Sequence, residues 1–228
     1  MYSKSLCAKT VLLVFVLPLI SFITNAGEIH SQTPSEVDPQ ASYVFYMHGF
    51  IVEGDNPKPV HPRWGEYDFP EIKISLADLG DHLIAHHRIK DTDPIEFSQQ
   101  LANDAQYLMD NGVAAKNISY IGFSRGGGIA VLVSSLLKNK DINFAILAAC
   151  SSQIENDQSL MLYGNVLSIR EKSDNLVGSC EPIAQRSYNI VQFEEILIAT
   201  NKEHGAFYRS RNEWLGPLKR WLANKKAS

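Results

Sequence analysis

Cysteine is scarce in this 228-residue sequence: there are three, at 7, 150 and 180, and none has the spacing that holds a structural zinc. The phosphate-loop pattern Gly-x-x-x-x-Gly-Lys is absent, as is Gly-x-Gly-x-x-Gly after the first apolar strand, which removes the common nucleotide cradles. Basic clusters are missing too. The longest is Lys225-Lys226, and no basic residues alternate with aromatics in the manner of base-stacking surfaces. With 21 basic against 25 acidic residues the net charge is −4, which disfavours nucleic acid or an anionic membrane as partner. His82, His86 and His87 invite a metal reading, but a strand sends neighbours 86 and 87 to opposite faces, and no Cys or acidic set completes a site. The sequence therefore calls for no metal and no cofactor.

The one long apolar run, Val11–Ile20, is too short for a comfortable membrane span. It follows Lys4 and Lys9 and precedes polar Thr24-Asn25-Ala26, the layout of a secretory signal peptide cleaved after Ala26. An uncleaved anchor is the alternative. Cleavage removes two lysines and no acid, leaving 202 residues with 19 basic against 25 acidic side chains. It also removes Cys7, so Cys150 and Cys180 remain as an even pair in an oxidising compartment, and a disulfide between them is expected, with two separate buried thiols as the alternative.

Residues 27–41 are polar and interrupted by Pro34 and Pro39, which suits a disordered leader. From 42 onward, apolar strand candidates alternate with helical patterns. The strands begin at Ser42, His82, Ile118, Asn143, Asn165 and Phe193. One helix starts at the cap Asp93-Pro94-Ile95-Glu96 and ends at Asn111-Gly112; another carries Trp214, Leu215, Leu218, Trp221 and Leu222 on one face. Such alternation predicts an α/β fold with a mostly parallel central sheet of about six strands flanked by helices, forming a single domain over 42–228. The long segment Ile51–Pro70, rich in proline and aromatics, is expected either to wall a binding pocket or to pack as an extended surface loop.

Ile118–Gly128 carries the most specific signal. An apolar strand runs into Gly122-Phe123-Ser124-Arg125-Gly126, and a helical pattern starts at once. A serine on a strand-to-helix turn needs small residues two before and two after it, because side chains there would meet the packed strand and helix. Downstream, Asp174 follows the strand candidate 165–169 and His204 follows the candidate 193–199. The order Ser, Asp, His allows an imidazole to take the serine proton while a carboxylate orients it. Glu171 is a rival acid, but it would sit at the strand edge, whereas Asp174 reaches into the loop.

With this elbow, this order and the early strand ending in His48-Gly49-Phe50, residues 42–225 resemble the α/β-hydrolase superfamily. The resemblance implies a catalytic triad of Ser124, His204 and Asp174, with the N–H groups of Arg125 and Phe50 as oxyanion hole. It also implies an acyl-enzyme formed on a small-molecule acyl substrate, a carboxylic ester before a thioester or amide, with thioesterase, peptidase and acyltransferase activities as the alternatives that a triad does not separate. Two departures stand out. The usual first hairpin is missing, and only some 15 residues separate Cys150 from Val166, where larger members insert a lid. An open site and a small or flexible substrate are therefore expected. The reading from another class is a non-catalytic binding protein that keeps the fold.

Overall fold

A computed structural model describes residues 27–226. The expected signal segment, 1–26, lies outside the described residues. Seven strands form one sheet in the order β1-β5-β2-β6-β7-β8-β9, and every pairing in it is parallel. The strands are β1 (Glu28–His30), β2 (Tyr43–Met47), β5 (His82–Ile84), β6 (Ile118–Phe123), β7 (Asn143–Leu147), β8 (Tyr163–Glu171) and β9 (Asn189–Ile198). The two-residue strands β3 (Val60–His61) and β4 (Gly65–Glu66) make a separate small hairpin.

Strand periodicity sorts the core into two layers. Val44, Tyr46, Ile121, Phe123, Leu147 and Ile169 face one side, where they meet α1 (Phe69–Leu76) and α6 (Asn212–Lys226). Tyr43, Phe45, Tyr120, Phe144, Ile146 and Val166 face the other, against α2 (Pro94–Asp110), α3 (Arg125–Leu137) and α5 (Glu181–Arg186). Strands buried on both faces read as unbroken apolar runs, which is why β2, β6 and β7 were plain in the sequence. The helix start at 93 is also as expected: Asp93 accepts from the N–H groups of Ile95 and Glu96, and Pro94 occupies the first turn.

Two expectations are corrected. The segment 27–41 is not a disordered leader throughout: Glu28–His30 adds a seventh strand beside β5, with Gly27 N–H bonded to Ala77 O at 2.9 Å. The strand expected over His82–Arg88 ends at Ile84, because the chain then turns so that Arg88 N–H can donate to His48 Nε2 at 3.0 Å.

Because the sheet is parallel, the loops after β2, β6, β8 and β9 all leave from one edge. They carry Phe50, Ser124, Asp174 and His204 respectively. Neighbouring strands β5 and β6 lie on opposite sides of β2, so the chain reverses its winding there, and the crevice that results at this edge is where open α/β sheets take ligands.

Candidate active site

Ser124 sits between β6 and α3 with φ 55° and ψ −119°, a backbone conformation that L residues seldom adopt. The turn is possible because its neighbours lack side chains. A Cβ on Gly122 would lie 2.1 Å from Gly126 O, and one on Gly126 would lie 2.0 Å from Met47 O. Gly127 is a third such position, 2.4 Å from the Ala149 methyl, and the elbow pattern alone does not call for it. The tight turn exposes the Ser124 hydroxyl at the start of α3.

Residues far apart in sequence meet at that hydroxyl. Ser124 Oγ lies 2.8 Å from His204 Nε2, and His204 Nδ1 lies 2.7 Å from Asp174 Oδ2. His204 and Asp174 are both buried, and the second carboxylate oxygen of Asp174 accepts from Leu176 N–H at 3.0 Å. Both oxygens of the acid are therefore occupied and its orientation is fixed. Phe123 and Trp64 pack on the imidazole, with ring centroids 4.8 and 5.3 Å away. Phe50 opens a 3-10 turn and Arg125 is the first residue of α3, positions whose N–H groups have no acceptor within their own helix.

Glu171, the rival acid, does something else. It is the last residue of β8 and is buried, and its carboxylate spans two loops. One oxygen accepts from Ser173 N–H and Oγ, both at 2.5 Å; the other accepts from Thr200 N–H at 2.7 Å and Asn201 N–H at 3.0 Å. Burial raises its pKa, but the donors from Ser173, Thr200 and Asn201 outweigh that and hold the carboxyl below its ordinary value. Glu171 thus fastens the loop of Asp174 to the loop of His204. Glu171→Gln is expected to lower stability by about 3 kcal/mol in denaturant unfolding, because an amide cannot accept on both sides. It leaves the His204 tautomer alone, so turnover of the folded variant should fall far less than when Asp174 is altered.

His48, buried beneath the turn after β2, holds that turn rather than facing Ser124. Its Nδ1 donates to Gly49 O at 2.8 Å while Nε2 accepts from Arg88 N–H. Burial, and then the Arg88 charge, push its imidazole well below the ordinary histidine range, so it stays neutral. The Arg88 guanidinium donates to His48 O at 2.5 Å and pairs with buried Glu53 at 3.2 Å. Tyr46 and Tyr67 share a 2.6 Å hydrogen bond in the same layer, with burial raising both phenols. Nothing in the sequence pattern links these residues, because the contacts cross between separate strands and loops.

The segment 51–70 lies against the site, as expected of a wall. Trp64 Nε1 donates to Glu203 at 2.9 Å and Arg63 pairs with the same carboxylate at 2.7 Å, joining the wall to the loop that carries His204. The fit is close: a Cβ on Gly205 would come within 2.6 Å of the Trp64 Cβ. The crevice at Ser124 has two lobes. One, of about 670 Å³, is lined by aliphatic side chains including Ile129, Leu132, Ile154 and Val177. The other, of about 500 Å³, is lined by aromatic ones, His61, Trp64, Phe123 and Tyr208. Ser124, His204, Phe50 and Leu176 border both. In place of a lid, residues 151–162 form the single short helix α4 (Ser152–Asn156), with Ile154 and Leu160 reaching the aliphatic lobe.

Cys150 and Cys180 form a disulfide with Cα atoms 5.2 Å apart. It ties the chain after β7 to the end of the loop that begins at Asp174, and Gly178 N–H adds a 2.8 Å bond to Cys150 O. Removing the bridge in a Cys150→Ala, Cys180→Ala variant is expected to cost about 3–4 kcal/mol in unfolding experiments, from loop-closure entropy across the 30-residue separation. Peptide mapping without reductant should recover the two cysteines in one linked fragment; free thiols at both positions would contradict the pairing.

No family model matches the chain, and no curated protein matches it. Solved structures do. Est1E from Butyrivibrio proteoclasticus aligns with a TM-score of 0.56 at 12% identity, covering 86% of this chain and 93% of that one. A predicted CIB-like hydrolase from Thermoplasma acidophilum gives 0.55 at 15%, covering 83% and 89%. SOBER1 from Arabidopsis thaliana gives 0.50 at 10%, covering 81% and 99%. These likenesses establish the fold: the chain has the α/β-hydrolase fold, built here on a parallel seven-stranded sheet.

Proposed function

We infer that this protein is an exported serine hydrolase that cleaves carboxylic esters. The observation that carries the reading is the unbroken hydrogen-bonded chain from Ser124 Oγ through the His204 ring to the Asp174 carboxylate, with the serine on a backbone turn that glycines alone permit. Idle serines in glycine-rich turns have no need of such strain.

In the proposed reaction, His204 Nε2 takes the Ser124 proton as Oγ bonds to the ester carbonyl carbon. The N–H groups of Arg125 and Phe50 hold the oxyanion, each worth about 3–4 kcal/mol of transition-state stabilisation. Collapse breaks the bond to the alkoxy oxygen, which leaves as the alcohol with the proton returned by His204. Water then adds to the acyl-enzyme with His204 as base, releasing the acid and restoring the serine. Asp174 keeps the Nδ1 proton in place and stabilises the imidazolium without itself being protonated.

The two lobes meeting at Ser124 support an ester with a compact apolar group on each side of the carbonyl, one of them aromatic. Est1E has been solved with ferulic acid bound, an aromatic acid that the aromatic lobe here would suit. Export is supported by the disulfide and by the basic-then-apolar pattern of residues 1–26. A panel of p-nitrophenyl and methyl esters tests the reading. Hydrolysis of short aliphatic and arylpropenoyl esters, with long-chain esters poor, is the expected profile. No hydrolysis across the panel by folded protein would favour a binding module instead.

A further inference from the structure

At the opposite edge of the sheet from Ser124, the first residues of three adjacent strands form a row. Glu28 of β1 pairs in register with His82 of β5, which pairs in register with Tyr43 of β2. His30, two residues after Glu28, projects to the same face, since strand side chains alternate. Three possible ligand atoms converge there. His30 Nε2 and His82 Nδ1 lie 3.0 Å apart, and a Glu28 oxygen lies 3.5 Å from the first and 3.8 Å from the second. Among the described residues no other group of histidine, cysteine and carboxylate ligands is so gathered.

We propose that Glu28, His30 and His82 form a binding site for a borderline divalent transition-metal ion of the zinc class. Bonds of about 2.0–2.2 Å to a tetrahedral ion put neighbouring ligand atoms about 3.3 Å apart, and the three separations found here bracket that value. Two imidazoles with a carboxylate suit zinc or cobalt better than magnesium or calcium, which take oxygen ligands. The site is also held in shape. The Tyr43 ring stacks on His82 at 4.7 Å and 18°, and the Tyr43 hydroxyl accepts from Asp38 N–H at 2.9 Å, fixing the segment that rims the groove. That groove, about 830 Å³ between β1 and residues 31–38, leaves room for solvent or a small ligand at the remaining coordination position. The ion would fasten β1, a three-residue strand whose one sheet partner among the described residues is β5, to the body of the sheet.

The sequence did not point here for a physical reason. Sequence order groups His82 with His86 and His87, its neighbours along the chain, whereas its companions in the fold come from a polar, proline-interrupted segment that reads as unstructured. His86 instead faces Asp104, at 3.9 Å, and His87 bonds to Val52 O.

Calorimetric titration of the chelator-treated protein with zinc chloride tests the proposal, alongside cobalt chloride followed by visible absorption. The expected result is one ion per chain, with the intense d–d bands of a tetrahedral cobalt site and a higher melting temperature in zinc. His30→Ala and His82→Ala should each weaken binding by more than about tenfold, the scale on which even outer partners of metal ligands act. His61→Ala, in the aromatic lobe, should leave metal affinity unchanged. Because β1 could loosen in the histidine variants, Glu28→Gln provides a mild test at an exposed position, with weaker zinc binding and altered cobalt bands expected. Absence of stoichiometric uptake by the unaltered protein would overturn the proposal, as would binding that persists undiminished in all three ligand variants.

Discussion

Ser124→Ala is expected to reduce ester turnover by a factor on the order of 10⁶ while leaving the fold intact. The size follows from the proposed reaction, in which triad members act as a unit: with the proposed nucleophile gone, His204 and Asp174 would have nothing to activate, and the proposed oxyanion donors alone would provide a small residue of the rate. The fold should survive because the Ser124 side chain makes no capping bond to α3, and the bond that fixes the turn, Ser124 N–H to Leu147 O at 2.9 Å, belongs to the backbone. Alanine also keeps the φ of 55° at a cost similar to that of serine. Turnover of a p-nitrophenyl ester, with circular dichroism as the folding control, measures it. Retention of more than about a tenth of the activity would remove Ser124 from the nucleophile role.

Asp174→Asn should cost about 10⁴ in turnover at neutral pH, and the geometry explains why a near-isosteric change does so much. One carboxylate oxygen of Asp174 accepts from Leu176 N–H and the other faces His204 Nδ1. In the asparagine variant the carbonyl oxygen remains with the Leu176 donor, which turns the amide NH₂ toward Nδ1. The imidazole must then accept at Nδ1 and carry its proton on Nε2, where it can no longer take one from Ser124. Comparing Asp174→Asn with Glu171→Gln separates orientation of the base from support of its loop. If Glu171→Gln proved inactive and Asp174→Asn active, the acid would be Glu171.

What was legible in the sequence were features that one stretch of chain decides. The elbow shows because Gly122 and Gly126 must be glycine where backbone crosses backbone. The buried strands show because both faces are apolar, and Asp174 and His204 show because strand ends in a parallel sheet share one edge. Other features depend on pairs that meet only after folding. Glu28–His30 has no apolar alternation to reveal it, since an edge strand can be held by backbone bonds to one neighbour. The clamp role of Glu171 depends on donors from residues 200 and 201, and the seat of Trp64 depends on Glu203. A glutamate three residues before an aspartate looks the same in sequence whether it competes for the histidine or braces its loop.

Covalent labelling tests the central claim most directly, because it reads the reactivity of one hydroxyl without knowledge of the substrate. A fluorophosphonate reacts with a serine that an adjacent base deprotonates, losing fluoride as the Oγ–P bond forms. Mass spectrometry of the treated protein should find one phosphonyl group per chain on the peptide that contains Ser124. Labelling should be absent in Ser124→Ala and strongly slowed in Asp174→Asn. An unlabelled Ser124 in folded protein, at probe levels that saturate a known serine esterase, would contradict the account and make this fold a binding module.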